Sequence, residues 1–129
     1  MTKEHNELLL IDICARLPYK VKISIPELFT NKEQTETLNE IFNGKDYLYR
    51  VNDSGILIEY IKPYLFPLSS MTEEQKMFLK QQNWYIAIST SGTVETTIKG
   101  IDWLNKNHFD YRGLIESGLA IDATNLNIY

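Results

Sequence analysis

Between Asn6 and Ile25 the apolar residues change their period, and that change constrains the fold more than any other feature of the chain. Leu10, Ile13, Cys14 and Leu17 recur at i, i+3, i+4 and i+7, the spacing that lays a stripe along a helix, and Pro18 halts the pattern. Leu8, Leu9 and Ile11 widen the stripe, so the helix expected over 6–17 is buried on most of its circumference and lies across a sheet. From Tyr19 to Ile25 the period drops to two, with Val21, Ile23 and Ile25 on one side and Lys20, Lys22 and Ser24 on the other. A buried helix followed by a strand with one wet face points to a domain that packs helices on a sheet.

Further strands are expected on either side of Asn43-Gly44, the strongest short hairpin signal, at Thr37 to Phe42 and Asp46 to Val51. A turn at Asn52-Asp53-Ser54-Gly55 leads into Ile56 to Ile61, completing a three-stranded meander, while Glu27 to Glu36 reads as a polar loop or short turn of helix. Pro63 and Pro67 make Lys62 to Leu68 an extended, irregular connector. Thr72-x-x-Gln75 and the overlapping Ser70-x-x-Glu73 are capping-box patterns, which place a helix from about Met71 to Gln82 with Met71, Phe78 and Leu79 inward. Trp84 to Ser89 is rich in β-formers and reads as a short strand, and Ser91-Gly92 as a turn.

Ile98, Ile101 and Leu104 recur at helical spacing beside Trp103, so Thr96 to Asn107 should form a helix with one heavy apolar face. Asp110 suits the N-cap of a second, short helix over Tyr111 to Ser117, which Gly118 would close and Leu119 would fold back upon through Leu114. Phe109 would plug the angle between the two, and the tail from Thr124 to Tyr129 would be loosely held. The sum is a single α+β domain over residues 1–129, with a small antiparallel sheet of about four strands, an N-terminal helix and a C-terminal helical cluster.

At 129 residues the chain can bury a core without disulfides or metal, and its single Cys14 forms no internal disulfide. A formal charge of −4 argues against non-specific duplex binding, which releases counterions from a positive face. No run approaches the length of a bilayer span, and the N-terminus lacks the order of a signal peptide, so no membrane role and a cytoplasmic setting are expected. His5, His108 and Cys14 stand in unrelated contexts, so no metal centre is expected, and no phosphate loop, dinucleotide fingerprint or nucleophile elbow occurs. Glu59, Glu73, Glu74, Asp110 and Glu116 show no spacing that selects an acid-base pair, so no catalytic residue and no cofactor is assigned.

Binding chemistry is better represented. Arg112 sits beside Tyr111 at the start of a short helical turn, where a guanidinium can grip a phosphate or carboxylate while the phenol stacks on a ring. Its structural alternative is an ion pair with Asp110 or Glu116. Arg16, Tyr19, Lys20 and Lys22 form the one concentration of positive charge with an interleaved aromatic, suited to an anionic ligand or a single strand, or else to the solvated face of an edge strand. His108 is either a ligand contact or a cap on the preceding helix's carbonyls. Tyr64, Ser69 and Ser70 lie on a proline-stiffened segment of the kind that carries binding residues, although Tyr64 and Phe66 also suit a cover over the core, and Cys14 suits a small core position.

Two blocks carry a resemblance: Lys62-Pro-Tyr-Leu-Phe-Pro-Leu-Ser-Ser-Met-Thr-Glu-Glu-Gln75, and the run from Trp103 through His108-Phe-Asp-Tyr-Arg-Gly113 to Ala120. With the opening Cys14-Ala-Arg-Leu-Pro-Tyr-Lys-Val-Lys22, they resemble the signature segments of a family of short proteins of unassigned activity encoded by phages and mobile elements of gut Bacteroidetes. The resemblance implies a setting in a host cell and action by binding. The leading expectation is a non-enzymatic protein that sequesters an anionic nucleotide signal of a host defence system, with Arg112, Tyr111, Arg16, Tyr19, His108, Lys22, Tyr64 and Ser70 as ligand-binding residues. The alternatives are a protein-interaction module acting on a host or phage enzyme, or a single-strand nucleic-acid accessory protein. A second copy of the chain is a further candidate partner.

Overall fold

The computed structural model describes residues 3–25, 34–37, 47–51, 54–57, 60–90 and 94–129. Its class is the expected α+β. Helix α1 (Lys3–Arg16) is followed by a 3-10 turn over Leu17–Tyr19. Strands β1 (Lys22–Ile25), β2 (Gln34–Thr37), β3 (Tyr47–Val51), β4 (Ser54–Leu57) and β5 (Lys62–Pro67) come next. A 3-10 turn at Leu68–Ser70 leads to α2 (Glu73–Gln81), a hairpin of β6 (Ile86–Ile88) and β7 (Val94–Thr96), helix α3 (Ile98–Lys106), and two short strands, β8 (Phe109–Asp110) and β9 (Ile121–Asp122).

The main sheet runs β2-β1-β5-β8, with β9 also paired to β5. Its centre is the segment that the two prolines marked as a connector. β5 takes a different partner every two residues: Lys62 and Pro63 face β1 antiparallel, Tyr64 and Leu65 lie parallel to β9, and Phe66 and Pro67 lie parallel to β8. Proline has no amide to give, and both prolines fall near the ends of β5, leaving the middle of the strand free to form its ladder. The backbone bonds Phe66 N to His108 O and Ala123 N to Leu65 O, both 2.8 Å, complete it.

Three other expectations shift. Gln34 to Glu36 belongs to β2, paired with β1, and not to a loop. β3 and β4 pair with each other, and among the described residues no third strand joins them; the Asn43-Gly44 turn, most of the Thr37 to Phe42 strand of the expected meander and the Ser91-Gly92 turn lie outside the described residues. The segment after Asp110 forms turns in place of a helix. Gly113 takes a left-handed φ of 74° one residue after Arg112, which breaks a right-handed helix at its third position, and Gly118 does the same at 75°.

The core holds Leu9, Ile13, Val21, Ile23, Ile61, Leu65, Leu114, Leu119 and Ala120. Helix α1 is not buried all round: Ile11 is 57% exposed and Cys14 is exposed, so Cys14 is no core residue. Its inward stripe is Leu9, Asp12, Ile13 and Arg16, which has the expected spacing but is set one residue earlier. On α3, Ile98 is 82% exposed and Leu104 fully buried, because Thr97 caps the helix at Gly100 N (3.0 Å) and turns Gly100, Leu104 and Asn105 inward. At α2 the Thr72–Gln75 capping box forms in both directions, at 2.9 and 3.1 Å. Leu79 is buried as expected, whereas Phe78 is exposed.

Candidate functional site

The residues singled out from the sequence gather at three separate places. Arg16 and Arg112 do converge, but on a carboxylate. Asp12, fully buried on α1, accepts from Arg16 Nε at 2.8 Å and Nη2 at 3.1 Å, and from Arg112 Nη1 at 2.7 Å. Arg16 is itself fully buried and donates onward to the carbonyls of Phe109 (2.5 Å) and Leu104 (3.5 Å). The ring of Tyr111 lies within 5.4 Å of the Arg16 guanidinium and 4.5 Å of that of Arg112, a distance at which ring and cation attract, and its hydroxyl donates to Asn105 Oδ1 at 2.8 Å. Asp110 accepts from the amides of Arg112, Leu114 and Ile115 at 2.9–3.2 Å, so its carboxylate satisfies free amides as expected, although it caps a run of turns and not the expected helix. This cluster ties α1 to the loop after α3. Both guanidiniums are paired to the one carboxylate of Asp12.

A second group surrounds the end of the chain. Tyr129 stacks on His108 at 3.9 Å and 13°, and packs against Phe66 at 5.8 Å. Its hydroxyl donates to Tyr64 O at 2.7 Å and accepts from Lys22 N at 2.9 Å, while Lys22 Nζ donates to Ile128 O at 2.8 Å. The tail is therefore pinned, contrary to the loose end expected. Burial, opposed in part by the Lys22 amide, pushes the Tyr129 phenol up to about 12. His108 takes a left-handed φ of 62°, is buried, and its Nδ1 has no hydrogen-bond partner among the described residues. Beside this pair opens a cleft of about 380 Å³ lined by Ser70, Thr72, Gln75, Lys106, Asn107 and Asn125 as well as by His108 and Tyr129.

Burial first, then the positive charges of Arg16 and Lys22, bring the His108 imidazole down from an ordinary 6.5 to about 4. Between those two values the unfolded chain holds a proton at this position and the folded chain does not. Stability contributed by the neutral ring is thus complete above pH 6.5 and is lost as the pH falls towards 4. Urea midpoints measured across that interval should fall faster in the unaltered protein than in His108→Asn, which tolerates the left-handed backbone and does not titrate. Parallel slopes would mean the ring is already charged in the native state.

The third place holds Tyr19 together with Phe78, Trp84 and Trp103, none of which was expected to hold a small ligand. Tyr19, Phe78, Trp84 and Trp103 wall a cleft of about 260 Å³ whose remaining lining is Lys99, Asp102 and Lys106. Phe78 meets Trp84 edge-on at 5.8 Å and lies nearly parallel to Trp103 at 6.5 Å, and Trp103 stacks on Phe109 at 5.5 Å and 12°. Lys99, Asp102, Trp103 and Lys106 are spaced i, i+3, i+4 and i+7, so one face of α3 supplies them all. That spacing was present in the sequence, masked by the more obvious isoleucines. A third cleft, about 610 Å³ and mainly apolar, lies between α2 and β6, with Leu68, Met71, Leu79 and Ile86 inside and Lys76 and Lys80 at its rim.

Among the described residues no helix is long and apolar enough to cross a membrane, and no three histidine, cysteine or acidic side chains are grouped to hold a metal ion. No family model, curated protein or solved structure matches the chain.

Proposed function

We propose that this protein binds an anionic nucleotide without transforming it, in the aromatic cleft of Tyr19, Phe78, Trp84 and Trp103. The observation that carries this reading is the pairing of four ring side chains with Lys99 and Lys106 in one concavity of a chain whose net charge is −4. Bases stack on aromatic faces whatever their identity, and lysines meet phosphate as point charges. Of the residues first expected to hold the ligand, Tyr19 keeps that role here. Arg16 and Arg112, committed to Asp12, act by bracing α1 against the loop that follows α3. In a phage setting, binding of this kind would sequester a nucleotide signal of the host.

Both tryptophans line or adjoin the cleft, so nucleotide titration should quench their fluorescence. Trp84→Ala should weaken binding about tenfold or more, a stacked base being worth ~1–3 kcal/mol. Absence of both quenching and heat with purine and pyrimidine nucleotides at millimolar concentration would overturn the reading. A protein-docking role is the second reading. It draws on the exposed Met77, Phe78 and Tyr85 around the same helix, and recovery of one stoichiometric host or phage protein that competes with no nucleotide would favour it.

A further inference from the structure

Lys106 lines two clefts at once. One is the aromatic cleft, the other the polar cleft beside His108 and Tyr129. A continuous row of rings joins them: Trp84, Phe78, Trp103 and Phe109, then Phe66 at 6.1 Å from Phe109, then Tyr129 and His108.

The chemistry of the two clefts differs. In the second, the faces of His108 and Tyr129 are turned on each other, so they offer little to a further ring. Among the described residues that line it, Lys106 is the one charged side chain and none carries a side-chain carboxylate. The bonds these side chains already make leave both kinds of capacity open. Ser70 donates to Pro67 O and keeps its lone pairs. Thr72 accepts from Gln75 N and keeps its hydroxyl proton, Gln75 accepts from Thr72 N and keeps its amino group, and Asn107 donates once to Trp103 O and keeps its carbonyl. A close set of uncharged donors and acceptors matches hydroxyl groups, each of which gives one hydrogen bond and accepts others.

We infer that the ligand is a nucleoside phosphate whose phosphate carries a second, polyhydroxylated group: the base lies among Tyr19, Trp84 and Trp103, the phosphate at Lys106, and the sugar among Ser70, Thr72, Gln75 and Asn107. This rests on the nucleotide reading of the aromatic cleft and narrows it to the nucleotide-sugar class.

ADP and ADP-ribose serve as the probes, titrated into the intact chain by calorimetry. ADP-ribose should bind about tenfold more tightly than ADP, the difference that one or two well-placed hydrogen bonds supply. Gln75→Ala and Asn107→Ala should each erase most of that difference while leaving ADP affinity within about twofold, whereas Trp84→Ala should weaken both ligands alike. Equal affinity of the unaltered protein for ADP and ADP-ribose, or an equal loss of both ligands in the two polar variants, overturns the inference and leaves the nucleotide reading in place. Binding of neither ligand removes both.

Discussion

Asp12→Ala should cost roughly 3–5 kcal/mol of folding stability, a large share of the ~5–15 kcal/mol that holds a domain together. Asp12 and Arg16 are both fully buried, and a guanidinium does not shed its proton to escape. Removing the carboxylate strands the Arg16 charge in the core, where the carbonyls of Leu104 and Phe109 and the ring of Tyr111 remain beside it but no described anion does. Arg112, about a fifth exposed, can turn its charge towards water, so Arg112→Ala should be milder than Asp12→Ala. The double change Asp12→Leu with Arg16→Met should recover much of the loss, since the penalty belongs to the unpaired charge more than to the missing bond. Urea denaturation of the three variants measures this. A loss under about 1 kcal/mol for Asp12→Ala would show that water reaches the pair.

Leu65→Ala should lose roughly 2–5 kcal/mol, while Ile98→Ala stays within about 0.5 kcal/mol of the unaltered protein. Leu65 is fully buried at the middle of β5, and its carbonyl receives Ala123 N, so the strand there has no freedom to collapse into the space vacated. Ile98 leaves four-fifths of its surface in water. Thermal or urea midpoints that rank the two substitutions in the opposite order would contradict the burial of β5.

Those two residues also measure how much of the architecture was legible beforehand. Period and punctuation found the three α-helices among the described residues: α1 before Pro18, α2 behind its Thr72 cap, and α3 with its N-terminus near Thr97. They failed on side-chain register. Hydrophobicity alone placed Leu10 and Cys14 inward on α1 and Ile98 inward on α3, whereas a buried ion pair and a threonine cap rotated both helices away from that choice. Two charged residues satisfying each other in a core leave no trace in an apolar pattern. The status of β5 was hidden for a related reason. Pro63 and Pro67 forbid a uniform ladder, and only the late segments at Phe109 and Ile121 reveal that β5 is shared among three partners.

The residues expected to hold a ligand were chosen for their chemical type, and the fold distributes them over separate places. Arg16 and Arg112 have the chemistry to hold an anion, and in the folded chain both donate to Asp12, while Tyr111 lies against their guanidiniums and donates to Asn105. His108 and Ser70 come together at the polar cleft, with Lys22 and Tyr64 behind them anchoring Tyr129, and Tyr19 stands apart at the aromatic one. What the sequence reading lacked was the pairing of α2 with α3, which brings Phe78 and Trp84 against Trp103 from across some twenty residues of chain.

The division of β5 among three partners has a consequence for how the molecule is born. Its neighbours are drawn from residues 23–24, 109–110 and 121–122, so a growing chain that has just exposed β5 cannot complete that strand's ladder until residues 109–122 have been made. Local helices can form and fray during synthesis, but the interior closes only after residues 109–122 have joined β5, and the long loops that must then be drawn shut make that closure the slow event.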